Sequence, residues 1–311
     1  MAILGAGAIG GCLAAALHRA GEEVLFLVRP GQARAYGGRL RVEAPEGVTE
    51  VEARFLEPGD ALPEPDWLVV AVKSYATAEA IRSWQEALPA STSILSPQNG
   101  IENEAVLGEL LGRERLFPAV VYGPAQKLED GRIRQGGPLR LTAGLPPELP
   151  AALRPRAEGR LTALQTALGR GGIPLTVSSE IMAVKWAKLV WNAVWNPMTA
   201  LAEREIGAVL EEPGARAVAV AGMGEVVAVA EAEGYHLAES IISDGLALSR
   251  AMADQPTSML ADLRARRRLE LELVESVVRR AQRHELATPV LSTLAALLRL
   301  RHPDLVGGPA G

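Results

Sequence analysis

At 311 residues the chain is longer than one hydrophobic core usually fills, so two domains of roughly 100 to 200 residues each are expected. Its hydrophobic fraction of 48% supports sizeable cores, and a net charge of −5 with no dense Lys/Arg block excludes the electrostatic footprint of a nucleic-acid binder. One cysteine, Cys12, and four scattered histidines leave neither a disulfide framework nor metal-ligand spacing, which fits a reducing cytoplasm and a protein without a metal.

The chain opens on MAILGAGAIGG, without the basic region or cleavage site of a signal peptide, and its most apolar later run, 217–230, is interrupted by Glu225. A soluble, cytoplasmic protein that does not engage a membrane is expected. Through the first half, short apolar runs alternate with helical patterns, the signature of a parallel sheet flanked by helices. Strands are predicted at 2–4, 24–28, 67–72, 93–95, 119–122, 132–134, 139–142 and 174–177, and helices at 9–20, 76–87, 102–111 and 157–168.

Between the first strand and first helix stand Gly5, Ala6, Gly7, Ala8, Ile9 and Gly10. Glycines at this spacing permit a tight turn, close approach of backbone to a pyrophosphate and close helix-to-strand packing, with the phosphates at a helix N-terminus. A dinucleotide site is therefore expected. The second strand ends at Arg29, where an NAD enzyme would present an acid to the ribose hydroxyl. A cation there suits a 2′-phosphate, so NADP(H) is favoured over NAD. Lys73 and Asn99 follow later strands on the same edge, where a cofactor ribose and a substrate would lie.

After Ser178 the strand signals stop. Helical periodicity takes over from Glu180, with breaks at Pro197, Pro213, Gly234, Pro256 and Pro289. The predicted domains are 1–177, a dinucleotide-binding α/β domain, and 178–311, a helical domain that closes over the ligand; the tail from His302 is expected to fray.

The first long helix of this second half contains KLVWNAVWNP at 188–197. Its Lys188, Asn192 and Asn196, four residues apart, rise along one helix face as a polar stripe between apolar neighbours. Buried without partners such groups cost a few kcal/mol each, so protein, water or ligand must meet them. Pro197 is expected to stop or bend the helix at Asn196, and Lys185 reads as a lysine whose head reaches solvent. Only four of the 32 basic residues are Lys (Lys73, Lys127, Lys185, Lys188), and Asn is equally scarce, at 99, 103, 192 and 196. Such residues are kept where Arg or Gln cannot substitute.

Further on, Glu270 is assigned to one helix running from 259 to 281, on its apolar stripe with Leu263, Val274, Val277 and Ala281. It either pairs with Arg267 one turn earlier or points toward a ligand. Ser258 precedes that helix, where it can cap it and can also help hold a carboxylate. The Arg264 to Arg268 cluster, followed by Glu272 and Glu275, reads as a solvated, salt-bridged surface.

Taken together, Gly5 to Gly10, Arg29, Lys73, Gln98-Asn99-Gly100, KLVWNAVWNPMTAL at 188–201, TSML at 257–260 and Glu270 resemble the 2-dehydropantoate 2-reductases, or ketopantoate reductases. The likeness covers nearly the whole chain, and 188–201 is its most specific part. It implies a Rossmann-type N-terminal domain, an all-α C-terminal domain similar to that of 6-phosphogluconate dehydrogenase, and NADPH-dependent reduction of 2-dehydropantoate to pantoate in pantothenate and coenzyme A biosynthesis.

The resemblance further implies that Lys188 donates the proton, that Asn192 and Asn196 bind the substrate's polar groups and that Ser258 contacts its carboxylate. Asn99 and Lys73 would lie beside the nicotinamide half of the cofactor, Glu270 near both substrate and cofactor, and Ala125 would offer a backbone contact to the cofactor. Leu269 and Ala261 stand where members often carry Thr and Gln. A reductase of another 2-oxo acid is the nearest rival reading, and a non-catalytic NADPH-binding regulator the next. A homodimer is allowed for.

Overall fold

The computed structural model describes residues 1–146 and 148–307. By internal packing the chain divides into two units, one made of residues 1–98 and 102–181, the other of 99–101 and 182 onward. The first unit contains strands β1 (Ala2–Leu4), β2 (Leu25–Leu27), β3 (Arg39–Ala44), β4 (Gly47–Glu52), β5 (Arg54–Leu56), β6 (Trp67–Val70), β7 (Ser93–Ser96), β8 (Leu116–Tyr122), β9 (Ala125–Lys127), β10 (Ile133–Gln135), β11 (Arg140–Ala143) and β12 (Leu175–Val177). Its helices are α1 (Ala8–Arg19), α2 (Ala33–Tyr36), α3 (Thr77–Arg82), α4 (Asn103–Leu111) and α5 (Arg154–Arg170).

Eight strands form one sheet in the order β12-β11-β8-β7-β6-β1-β2-β5. From β5 to β8 all pairs are parallel, while β11 runs antiparallel to β8. The alternation of side chains across a strand splits the core in two. Ile3, Phe26, Val69 and Leu95 pack on one face, and Leu4, Leu27, Val70 and Ile94 on the other. Burial on both faces is why these strands read in the sequence as continuous apolar runs.

The chain leaves β1 toward β2 and β5 on one side, then returns to build β6, β7 and β8 on the other. That reversal beside β1 is a topological switch point, where open α/β sheets bind ligands at the carboxyl ends of their strands.

A second sheet, β4-β3-β10-β9, packs against α1. Of these strands only β10 is expected from the sequence; β3 and β4, like β5 in the large sheet, are not. In β3 the buried Leu40 and Val42 alternate with Arg39, Arg41 and Glu43. Such charged, half-buried strands carry a weak apolar signal. Cys12 lies on α1 with no exposed surface, and burial pushes its thiol up to about 12.

The second unit is helical: α6 (Ile181–Ala202), α7 (Ile206–Glu211), α8 (Pro213–Ala232), α9 (Ile241–Ala251), α10 (Ser258–Arg264), α11 (Glu272–Arg283), α12 (Pro289–Arg301) and α13 (Pro303–Val306). Trp186, Val190, Val194 and Trp195 of α6 join Met223, Val277 and Leu291 in one core. Within α8, Gly222 lets the helix approach Val194 and Val290.

Three expectations are corrected here. Pro197 does not stop α6 at Asn196, since the helix continues to Ala202. A proline inside a helix costs about 3 kcal/mol, and α6 absorbs it with its Trp195 to Ala200 segment buried in the core. The predicted helix 259–281 is two helices, because Arg266 adopts a left-handed backbone with φ 49°. In place of a frayed end, the described part of the tail carries α13 at Pro303–Val306, and Leu305 O accepts a hydrogen bond from Leu269 N at 2.7 Å, while 308–311 lie outside the described residues.

Among the described residues no helix is long and apolar enough to cross a membrane, and no group of three or more His, Cys, Asp or Glu is placed to hold a metal ion.

The α5 helix closes onto α1 through Gly171, where an added Cβ would fall 1.9 Å from the backbone oxygen of Ala16. Gly171→Ala is therefore expected to lower unfolding free energy by about 1–3 kcal/mol. Gly159→Ala, on the open side of the same helix, is expected to raise it by up to about 1 kcal/mol. Urea unfolding of the two variants checks the contrast, and equal effects would refute this packing account.

Candidate functional site

In the first unit, β1 ends at Leu4 and the chain turns at once. Gly5 adopts φ 104°, a conformation other residues avoid, and its N–H donates to Leu27 O at 3.1 Å. A Cβ on Gly10 would fall 2.2 Å from Gly5 O, so the turn can close this tightly only around a glycine. Gly7 caps α1 without a side-chain hydrogen bond, and the first turn of α1 carries no acid. The helix therefore begins with backbone N–H groups and a positive dipole end that suit an anion. Ala6, Ala8 and Ile9 belong to the same turn.

Arg29 is exposed just past β2. The loop that carries it is fastened by Glu57, whose two carboxylate oxygens accept from Gly31 N at 2.8 Å and Ala33 N at 2.7 Å. The sequence reading missed Glu57, since nothing in its spacing ties it to a loop 26 residues earlier. Lys73 sits in the loop after β6 rather than on the strand itself. Gln98 Nε2 holds that loop from both sides, donating to Val72 O at 2.9 Å and Thr77 Oγ1 at 2.7 Å. Thr77 Oγ1 donates in turn to Asn103 Oδ1 at 3.0 Å. The scarcity of Asn was the one signal that marked Asn103. Ala125 opens β9 opposite Gln135, and Lys127 at the other end of β9 bonds back to Ala6 O.

In the second unit, Lys188, Asn192 and Asn196 do form a stripe along α6. Asn192 and Asn196 are buried and Lys188 is partly so. Lys188 Nζ donates to Asn99 Oδ1 at 2.9 Å. Asn99 follows β7 in sequence, yet residues 99–101 pack with the helices of this unit. Burial lowers the Lys188 pKa to about 8, helped by the Lys185 charge and opposed by the Glu270 carboxylate.

Lys185 thus departs from the sequence reading. It is 3% exposed rather than reaching solvent, three residues from Lys188 on the same helix. Its charge there favours loss of the Lys188 proton.

Glu270 lies in the non-helical segment between α10 and α11 and is buried. Arg267 Nε donates to Asp262 at 2.9 Å, which departs from the pairing with Glu270 that a continuous helix would have given. The α13 contact to Leu269 fixes the residue beside Glu270 from the C-terminal side.

Asn196 is 1% exposed, and neither its Oδ1 nor its Nδ2 meets a hydrogen-bond partner in the protein. Ser258 is exposed as the first residue of α10, and the helix cap is Thr257, whose Oγ1 accepts from Leu260 N at 3.2 Å. Thr199 Oγ1 donates to Trp195 O at 2.8 Å and lies 2.7 Å from Thr257 Oγ1. With the Thr199 proton so used, Thr257 is the donor between the two hydroxyls. This buried chain ties the helix start at Ser258 to the α6 turn that holds Asn196.

Two family models match the chain: ketopantoate reductase PanE/ApbA over residues 1–148, and ketopantoate reductase PanE/ApbA C terminal over residues 180–302. A 2-dehydropantoate 2-reductase of Halobacterium salinarum is 33% identical over 267 residues, covering 85% of this chain and 86% of that one. The crystal structure of 2-dehydropantoate 2-reductase from Geobacter metallireducens superposes with a TM-score of 0.87 at 27% identity, covering 97% of this chain and all of that one. A D-mandelate dehydrogenase solved with NADH and anilino(oxo)acetate shares the fold at a TM-score of 0.87 and 18% identity, covering 98% of this chain and 99% of that one.

With both family models matching and a relative 33% identical over 85% of its length, the chain, with its glycine-rich turn at the switch point of a parallel sheet and its amide-bound lysine in a helical unit, belongs to the ketopantoate reductase family of dinucleotide-dependent oxidoreductases.

Proposed function

We propose that the protein reduces the C2 ketone of 2-dehydropantoate to pantoate with NADPH, and that Lys188 provides the proton. The observation that carries this reading is the Lys188 ammonium, held by Asn99 Oδ1 at 2.9 Å and lowered to about 8 by burial. An ammonium with that pKa is still charged near neutrality, so it can polarise a carbonyl, yet it yields its proton far more readily than an ordinary lysine.

The first unit fits the coenzyme. The Gly5 to Gly10 turn and the α1 N-terminus would hold the diphosphate, with Arg29 at the 2′-phosphate, Lys73 and Asn99 toward the nicotinamide half and a backbone contact from Ala125. Bound NADPH supplies the hydride to C2. The rest of the work falls to this chain's own side chains. Lys188 Nζ points a proton at the ketone oxygen, and Asn99 fixes the direction of that ammonium. Glu270 adds a negative charge that favours the charged form of Lys188 and lies near substrate and coenzyme. Asn192 and Asn196 orient the substrate's polar groups, and Ser258 meets its carboxylate beside the N-terminus of α10. An amide buried without partners, as in Asn196, costs about 1–3 kcal/mol, and substrate oxygens would relieve it. On this reading residues 1–177 form the NADP-binding domain and 178–311 the substrate and catalytic domain.

NADPH oxidation on adding ketopantoate tests the activity, and a panel of 2-oxo acids should rank ketopantoate first by kcat/KM. Another acid leading the panel would move the chain to a sister specificity, the kind of difference that fold does not decide. Lys188→Ala is expected to lower kcat by about 10²–10⁴-fold while leaving NADPH affinity unchanged; unaltered turnover would sink the proton-donor role.

The acid form of Lys188 is the active one in the reducing direction. Hence kcat/KM for ketopantoate should be flat below about pH 8 and fall above it. Pantoate oxidation requires the free amine and should rise through the same range. A reduction profile that stays level through it would exclude Lys188 as the titrating acid.

Arg29→Ala should raise KM for NADPH while leaving KM for NADH nearly unaltered, because only the former carries a 2′-phosphate. Equal losses for the two coenzymes would remove Arg29 from that role.

A further inference from the structure

We propose that Lys127 is a positioning residue for the dinucleotide, an inference that rests on the dinucleotide reading given above. It ties the tip of the glycine-rich turn to Tyr36, so that the turn stands preformed when a diphosphate arrives. Lys127 Nζ lies 3.0 Å from Ala6 O and 2.9 Å from the Tyr36 hydroxyl oxygen, 121 and 91 residues away in sequence. Both contacts are part-buried, and both belong to the first unit.

The two ends of this tie are themselves fixed. The Tyr36 ring stacks on Phe55 with centroids 4.4 Å apart, and Phe55 stacks on the fully buried Phe26 at 4.9 Å. On the lysine side, Lys127 stands opposite Ile133 in the β9-β10 pair. Ile133 is fully buried against the start of α1, where Gly11 leaves room for it: a Cβ on Gly11 would fall 2.0 Å from Ile133 Cδ1. The small sheet thus docks on α1 one residue beyond the turn and presents an ammonium to the turn's tip.

What the ammonium does follows from peptide geometry. A peptide unit is planar and trans, so its C=O and N–H point in opposite directions. Holding Ala6 O from the small-sheet side therefore fixes the direction of Gly7 N–H on the other side. This peptide joins Ala6 to Gly7, and the backbone freedom of Gly7 would otherwise let it sample several orientations. Removing that freedom before binding strengthens binding without adding a contact to the ligand.

The residue type is informative as well. In a chain where Lys is only four of the 32 basic residues, a compact point charge stands where two acceptors must be met from one atom, a task that a planar guanidinium suits poorly.

The test uses Lys127→Met, which keeps the apolar stem and removes the ammonium, and Tyr36→Phe, which keeps the ring stack and removes one acceptor. In the ligand-free protein, Lys127→Met should speed amide hydrogen exchange at Gly5 to Gly10. It should also raise the dissociation constants of NADPH and NADH by the same factor, about tenfold for one charge-assisted hydrogen bond. Turnover at saturating coenzyme should stay near wild type. Tyr36→Phe should move both readouts the same way by less, and it carries the test if Lys127→Met does not fold.

Unchanged exchange with unchanged affinities overturns the proposal. A loss confined to NADPH overturns it too, since that would make Lys127 a 2′-phosphate contact. A wild-type protein that binds neither dinucleotide refutes the function proposed above, whereas the exchange rates still decide whether Lys127 orders the turn.

Discussion

The constraint on which the proposed chemistry of the helical unit depends is an ammonium at Lys188 held where solvent cannot fully stabilise it. Burial there favours the neutral amine, and the Lys185 charge on the same helix pushes the same way. The Glu270 carboxylate pushes back, and Asn99 Oδ1 accepts a hydrogen bond from the ammonium at 2.9 Å. The balance lands at about 8, well below an ordinary lysine. Other features of this unit also depart from local preference. A proline is tolerated inside α6, an asparagine amide is buried without partners, and the segment carrying Glu270 is left outside any helix and secured from Leu305. Functional sites are where local rules are most often broken.

The central strands of the large sheet were legible because they are buried on both faces and therefore stand out as apolar runs between helices. The turn after β1 was legible because its glycines sit between a strand and a helix. The small sheet was not, because Arg39-Leu40-Arg41-Val42-Glu43 buries only every second side chain and resembles a loop. Periodicity failed differently at 259–281. The apolar spacing of α10 continues in step into α11, so nothing in the pattern reveals the left-handed residue Arg266 between them. Pro197 misled for the opposite reason: its local preference is real, but the packing of α6 overrides it.

The candidate site residues were named from residue type, spacing and, for Ala125, the family resemblance, and their supports were not. Glu57, Gln98, Thr199 and Thr257 act by long-range hydrogen bonds, and no periodicity connects the loops they join. Lysine scarcity was a better guide than it first looked. Lys188 meets Asn99, Lys185 is buried beside it and Lys127 reaches the glycine turn. In a chain so rich in arginine, each of these lysines occupies a place where size and proton chemistry count.

Asn99, Gly100 and Ile101 give the chain a further property. They leave β7, contribute Ile101 to the helical core, place Gly100 against Leu273 and supply the acceptor for Lys188. A gene cut at the apparent border near residue 178 would therefore yield a helical fragment stripped of its acceptor and missing one core side chain. The two parts of the chain are therefore not independent cassettes that a single cut at that border could separate. A working transplant of these helices has to carry the three-residue excursion 99–101 along with them.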